Sequence, residues 1–151
     1  MSPEYLPQGM AYPESFGILI DGPGYLPFAT GYENLQRLAR IRNTARRAET
    51  EAAMVAVGLD PTLRQRVRNY SLGMKQQLGI AQAIMEDQEV LLLDEPFNGL
   101  DRSSVAEMHA LLRRQRSEGR TVLFTSHIGA DVDELADTVY EVDRGGLARV
   151  R

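Results

Sequence analysis

The chain has 151 residues, of which 43% are hydrophobic and 25% are charged, a balance typical of a folded domain and not of a disordered segment. Its net charge of −4 gives no electrostatic reason to expect nucleic acid as a partner. Because it contains no cysteine, it can form neither a disulfide nor a thiolate metal site.

The first half of the chain is predicted to be mainly helical. Residues 1–15 are expected to form an irregular tail, and residues 16–29 a short apolar strand followed by a loop. Residues 30–88 are predicted to form a helical subdomain, which opens with the capping-box pair Thr30 and Glu33. The apolar stripe of its first helix is expected to comprise Leu35, Leu38 and Ile41. A second helix should share one apolar face among Ala45, Ala48, Ala52 and Ala56.

Residues 89–151 alternate between strand and helix patterns. Residues 90–93 and 121–125 are predicted to be strands buried on both faces, as in a parallel sheet covered by helices. A third strand is expected near residues 139–142. This alternation predicts an α/β fold with a parallel sheet and right-handed crossovers.

Two adjacent carboxylates, Asp94 and Glu95, follow the apolar run at residues 90–93. Ligands of α/β folds bind at the carboxyl ends of such strands. Nucleotide hydrolysis would use both groups, because Asp94 can hold Mg²⁺ through oxygen and Glu95 can orient the attacking water. The alternative interpretation is a strand that merely ends in a polar turn.

Ser71 and Gly73 precede a predicted helix about twenty residues before Asp94. A capping serine, a glycine without a side chain and free backbone N–H groups together favour anion binding. An isolated Ser-x-Gly is more often a plain helix cap, so this pattern gains weight only beside Asp94 and Glu95.

Together these blocks resemble the ATP-binding subunit of an ABC transporter. The segment Tyr-Ser-Leu-Gly-Met-Lys-Gln-Gln at residues 70–77 is similar to the family's signature, in the variant of the drug- and bacteriocin-exporter branch. The segment Leu-Leu-Leu-Asp-Glu-Pro at residues 91–96 resembles its Walker B motif. The resemblance extends over roughly residues 16–143 and implies a partial P-loop-NTPase-like sheet flanked by helices, with a helical signature subdomain.

The resemblance assigns expected roles to further residues. Glu95 and His127 would be catalytic, with His127 touching the γ-phosphate of ATP, and Asp94 and Asp21 would serve Mg²⁺. Asp101 lies in a segment similar to the D-loop, which in the family reaches across a dimer. The residues expected to contact nucleotide bound by a partner subunit are Ser71, Leu72, Gly73 and Met74. His109 is given no role.

The phosphate-binding sequence Gly-x-x-x-x-Gly-Lys-Ser/Thr does not occur in these 151 residues, and the only lysine is Lys75. We therefore expect the chain to be the C-terminal portion of such a subunit and to bind ATP poorly alone. The strand of the missing loop is expected beside the Asp94 strand, which would leave that strand's edge uncovered.

The partners implied by the resemblance are a second ABC ATPase subunit and a separate transmembrane permease. They would place the chain in the cytoplasm, at the inner face of the membrane. The competing hypothesis is a catalytically incompetent regulatory module that docks to an intact ATPase. A chromosome-maintenance ATPase is disfavoured, because no heptad run for a long coiled coil appears.

Overall fold

The computed structural model describes residues 15–20, 24–42 and 45–151. Its centre is a three-stranded parallel sheet with the strand order β1 (Phe16–Leu19), β2 (Val90–Leu93), β3 (Thr121–Phe124). In the central strand, Leu91 and Leu93, which point to the same face of the sheet, are buried in the core. The predicted α/β class with a parallel sheet is confirmed.

Five α-helices are described, and they surround this sheet or pack on one another. They are α1 (Gly31–Arg42), α2 (Arg47–Ala56), α3 (Leu72–Ile84), α4 (Arg102–Ser117) and α5 (Gly129–Leu135). A short 3-10 helix lies at Val67–Asn69. None of the helices in the described ranges is long and apolar enough to cross a membrane.

The helix starts follow from local side-chain chemistry. Thr30 and Glu33 form the predicted reciprocal box: the Thr30 N–H donates to the Glu33 carboxylate at 2.8 Å, and the Glu33 N–H donates to the Thr30 hydroxyl at 3.1 Å. At α3 the hydroxyl of Ser71 accepts from the N–H of Met74. At α4 the carboxylate of Asp101 accepts from the N–H of Ser104. Each cap satisfies a backbone donor that the helix itself leaves free.

The helical stretch and the sheet share one core through α3. Leu78 and Ile80 of α3 are fully buried, and each contributes about 1.5–3 kcal/mol of transfer free energy. The helix approaches β1 so closely that a Cβ at Gly17 would lie 1.9 Å from the carbonyl oxygen of Ala83. The predicted boundaries of residues 16–29, 30–88 and 89–151 as separate units remain predictions.

The apolar faces of the first two helices were only partly predicted. In α1, Leu35 is fully buried but Ile41 is 79% exposed. In α2, Ala48 and Ala52 face solvent, whereas the buried residues are Thr50, Ala53 and Met54. Ala45 and Ala56 are partly buried and pack against the core, so the predicted face is wrong only at Ala48 and Ala52. The helix buries its larger Met54, because burial of more apolar area contributes more.

Two expectations about the strands were wrong. Leu123 in β3 is 61% exposed and its register neighbour Ile18 in β1 is 44% exposed, because the face of the sheet that carries them is not covered within the described ranges. The strand predicted near residues 139–142 does not join the parallel sheet. It is β4 (Tyr140–Asp143), which forms an exposed antiparallel hairpin with β5 (Gly146–Arg149).

The expectation that an edge of the Asp94 strand would be uncovered was also wrong. Strand β2, which precedes Asp94, pairs with β1 on one side and with β3 on the other. No edge of the Asp94 strand is therefore open. Among the described residues, the unpaired edges of this sheet belong to β1 and β3.

Candidate functional site

Glu95 and His127 meet at the carboxyl ends of two neighbouring strands. Glu95 follows β2, His127 follows β3, and the two strands are paired in parallel. The Nδ1 atom of His127 lies 3.0 Å from Oε2 of Glu95. A carboxylate only accepts hydrogen bonds, so Nδ1 must bear the hydrogen. The His127 side chain is 68% exposed and the Glu95 side chain 31% exposed, which leaves the pair open to a ligand from solvent.

Thr125 connects the two adjacent carboxylate residues. Its hydroxyl donates to Oδ1 of Asp94 at 2.6 Å and accepts from the backbone N–H of Glu95 at 2.9 Å. Thr125 itself is held beside β2, because its N–H donates to the carbonyl of Leu93. One side chain at the end of β3 thus fixes both the direction of the Asp94 carboxylate and the peptide of Glu95.

The backbone of Glu95 adopts a left-handed conformation with φ of 45°. Non-glycine residues avoid this region unless their surroundings hold them there, and functional sites are enriched in such strain. Here the Glu95 carbonyl accepts from Nε2 of Gln76 at 2.9 Å and from the N–H of Asn98 at 3.1 Å. The catalytic candidate is therefore held from three sides, by β3, by α3 and by its own loop.

The four residues predicted to form the signature lie at the start of α3. The Ser71 hydroxyl accepts from the N–H of Met74 at 3.1 Å, and so keeps its own hydrogen available to donate. Leu72 is 68% exposed. A Cβ at Gly73 would lie 2.8 Å from the carbonyl oxygen of Gly99, so only glycine fits there without a shift. This end of the helix presents an exposed serine and backbone N–H groups, the features of an anion-binding terminus.

Asp101 is the N-cap residue of α4. Its Oδ1 accepts from the N–H of Ser104 and from the hydroxyl of Ser103, both at 2.8 Å. The hydrogen bond from the Ser104 backbone, with those from the two serine hydroxyls, lowers the pKa of Asp101 below its usual value. The neighbouring Gly99 has φ of 75° and packs against Leu72. The predicted dimer-contact loop thus touches the predicted signature within one chain.

Asp94 is the described residue that fits Mg²⁺. Within the described ranges, no cluster of three or more His, Cys, Asp or Glu side chains could hold a metal. Mg²⁺ in nucleotide sites usually takes one or two carboxylates and completes its shell with water and substrate phosphates. The exposed Asp94 carboxylate at the sheet edge suits that donor set. Asp21, the second candidate, lies outside the described residues.

Three residues at or near this site were missed by sequence reasoning. Thr125 and Gln76 stood inside recognised segments but received no role, and His109 was set aside. Their contacts join residues 19 to 31 positions apart in the chain. No local pattern marks such contacts, although the spacing of Thr125 immediately after a strand was a usable hint.

The chain is similar in sequence to known proteins. Residues 8–98, more than half of the chain, match the ABC transporter family. The chain is 42% identical over 132 residues to a bacitracin transport ATP-binding protein of Enterococcus faecalis, covering 87% of this chain and 43% of that protein. It is 35% identical over 139 residues to a fluoroquinolones export ATP-binding protein of Mycobacterium tuberculosis, covering 92% of this chain and 46% of that protein. The chain therefore spans less than half the length of each.

The fold is also that of a solved relative. A bacterial ABC transporter cassette, whose structure is dimeric, superposes with a TM-score of 0.80 at 18% identity, over 91% of this chain and 63% of that one. At this identity the likeness concerns the fold alone. The matched sequence segment and the relatives together show that this chain belongs to the ABC transporter family.

Proposed function

We propose that this sequence forms the hydrolytic and signature portion of the ATP-binding subunit of an ABC-type export transporter. The observation that carries the proposal is the 3.0 Å contact between Glu95 and His127 at the ends of paired parallel strands. A regulatory module without catalysis would not need a strained glutamate held in place from three sides. The export assignment follows the two relatives, one named for bacitracin transport and one for fluoroquinolone export.

In the proposed mechanism, Glu95 accepts a hydrogen bond from the attacking water and directs it at the γ-phosphate. His127 holds Glu95 through Nδ1, and its other ring nitrogen remains for the γ-phosphate; a protonated imidazole would donate to both partners. Asp94, with Thr125 fixing its carboxylate, would hold Mg²⁺. When bound, Mg²⁺ neutralises charge that develops on the phosphates.

The signature end of α3 is proposed to act on nucleotide bound by a second subunit. Ser71 would donate from its hydroxyl, and the N–H groups near Gly73 would face the γ-phosphate. Leu72 and Met74 border this surface, and Asp101 would lie at the dimer interface close to it. The phosphate-binding lysine loop is absent from these 151 residues, so the proposal requires that loop from elsewhere.

A second surface suits the proposed permease. Leu26 and Phe28 are 47% and 65% exposed, and the guanidinium of Arg68 lies 5.2 Å from the centre of the Phe28 ring. Exposed aromatic and apolar residues beside arginine are typical of interaction hot spots. This placement would bring the chain to the cytoplasmic face of a membrane through its partner.

The same loop is connected to the signature helix. The hydroxyl of Tyr25 donates to the carbonyl of Lys75, and burial raises the pKa of Tyr25. The side chain of Asn34 accepts from the N–H of Leu26 and donates to its carbonyl. A displacement of this loop by a permease would therefore act directly on the helix that begins with the signature.

The test uses a chimera in which this chain replaces the aligned segment of the Enterococcus faecalis relative. The chimera should hydrolyse Mg·ATP, and Glu95→Gln should reduce turnover by about 10³-fold while Mg·ATP still binds. The matched control is Glu107→Gln, which alters an exposed glutamate of α4. Unchanged turnover in the Glu95→Gln chimera would refute the role proposed for Glu95.

A further inference from the structure

A buried polar cluster joins α4, α5 and the loop after β3. Nε2 of His109 lies 3.1 Å from Oδ1 of Asp131, and the other carboxylate oxygen accepts from the hydroxyl of Ser126 at 3.3 Å. His109 is 8% exposed and Asp131 5% exposed. Buried polar groups are costly unless they are paired, so each member restricts the positions of the others.

The cluster fixes the backbone on both sides of His127. The hydroxyl of Ser126, the residue before it, accepts from the N–H of Ile128, the residue after it, at 3.1 Å. The carbonyl of Ile128 accepts in turn from the N–H of Asp131 at 3.1 Å. Asp131 therefore holds the loop through its side chain and its backbone, with His127 at the centre of the held segment.

His109 also contacts the other catalytic loop. Its ring packs edge-on against Phe97, with the ring centres 4.8 Å apart and an interplanar angle of 80°. Phe97 lies two residues after Glu95 and is buried, and it also packs edge-on against Phe124 at the end of β3. A single imidazole thus touches the loop bearing Glu95 and, through Asp131, the loop bearing His127.

We propose that His109 is a positioning residue, which sets the loop of His127 against the loop of Glu95 through Asp131, Ser126 and Phe97. The proposal rests on the function proposed for Glu95 and His127. The hydrogen bond from His109 to Asp131 sets the orientation of the loop that bears His127. The packing of His109 on Phe97 sets the distance of that loop from the loop that bears Glu95. Loss of the hydrogen bond between His109 and Asp131 should release His127 from its contact with Glu95, while the sheet remains folded.

Nuclear magnetic resonance of the 151-residue chain tests this directly, because the chain has only two histidines to assign. In alkaline buffer, long-range ¹H–¹⁵N spectra should show His127 with its hydrogen on Nδ1, bound to Glu95. His109→Phe keeps a ring against Phe97 but cannot donate to Asp131. It should convert the His127 spectrum to that of Glu95→Ala, which has no acceptor for Nδ1 and is the reference for a lost contact.

Two further variants keep the test decisive. His109→Gln places an amide nitrogen near the former Nε2 and should restore the His127 spectrum. Ser126→Ala removes the hydroxyl that donates to Asp131 without disturbing α4. It should release His127 from Glu95 even if His109→Phe fails to fold. If His109→Phe or Ser126→Ala lowers the melting temperature but leaves the His127 spectrum as in the unaltered chain, the cluster serves stability alone and the proposal is overturned.

Kinetics of the chimera provide the functional readout. His109→Phe should lower kcat by about 10²-fold with little change in KM, since a misplaced catalytic group weakens the transition state and not the ground state. His109→Gln should recover most of that loss. An equal loss in both variants, or a change confined to KM, contradicts the proposal. If the unaltered chimera has no ATPase activity, the proposed function fails, while the spectra still decide whether His109 positions His127.

Discussion

The side-chain amide of Gln76 donates a hydrogen bond to the backbone carbonyl of Glu95, across an N···O distance of 2.9 Å. Gln76 lies in the first half of α3, the helix that begins with the signature, and Glu95 has the left-handed backbone of a strained residue. The contact therefore joins the two proposed half-sites within one chain. In the proposed function, this hydrogen bond links the start of α3, where a partner's nucleotide would bind, to the proposed catalytic residue Glu95.

Gln76→Leu should lower ATP turnover of the chimera by about 10²-fold, since the amide that holds the Glu95 peptide is lost at similar side-chain volume. Mg·ATP affinity should change little, because Gln76 contacts no proposed ligand group. Gln77→Leu, at the next position of α3, is the matched control and should remain active. Equal activity of the Gln76 and Gln77 variants would show that the bond to Glu95 is dispensable.

Thr125→Val should raise the Mg²⁺ concentration needed for half-maximal turnover by about 10–100-fold, as expected for the partner of a metal-binding carboxylate. The variant removes the hydroxyl that donates to Asp94 and accepts from the Glu95 N–H. Thr125→Ser keeps that hydroxyl and should behave as the unaltered chimera does. A valine variant with an unchanged Mg²⁺ requirement would argue against Asp94 as the metal residue.

Gly73→Ala should destabilise the chain by about 1–3 kcal/mol, the usual cost of overpacking. The added Cβ would lie 2.8 Å from the Gly99 carbonyl oxygen, which is backbone and cannot swing away. Gly24→Ala is the control, because a Cβ there meets nothing within 4 Å. Urea unfolding measures both variants, and equal stability would mean that the signature and the loop at Gly99 are not in contact.

The cap at Asp101 predicts a pH-dependent stability. Hydrogen bonds from the Ser104 backbone and the serine hydroxyls lower the folded pKa of Asp101, so its contribution is complete above the unfolded value of about 3.9. The contribution is lost as the pH falls through the lower folded value. Asp101→Ala should therefore lower the melting temperature at neutral pH.

The same comparison in acid provides the check. Once the pH has fallen through the lowered folded pKa of Asp101, the difference in melting temperature between the unaltered chain and Asp101→Ala should shrink. Asp101→Asn, which caps without ionising, should show no such pH dependence relative to alanine. A difference that persists undiminished in acid would mean that the ionised carboxylate is not what stabilises the start of α4.

The sequence predicted the elements that local chemistry determines. The capping box at Thr30 and Glu33 formed as expected, and the continuous apolar run at Val90–Leu93 became the central strand. Asp94 and Glu95 follow that strand, and His127 follows its neighbour, because parallel strands bring their carboxyl ends to one edge. That rule alone brought the predicted catalytic pair together.

What could not be predicted depends on which side of an element is covered. Residues 121–124 have the pattern of a buried strand, yet Leu123 is exposed because its face of the sheet is not covered within the described ranges. The buried face of α2 was misjudged because its alanines suit either side of a helix. The roles of Gln76, Thr125 and His109 depend on contacts between distant segments, which periodicity does not encode.

Glu95 is proposed to act within its own subunit, whereas Ser71 is proposed to act on the nucleotide of a partner. Two inactive chimeras, Glu95→Gln and Ser71→Arg, should be mixed and their ATP turnover measured. In a mixed dimer one site has both defects and the other has none, so random pairing should restore activity in about a quarter of the sites. Restoration of about that size is the expected result. No activity above that of either variant alone would contradict it.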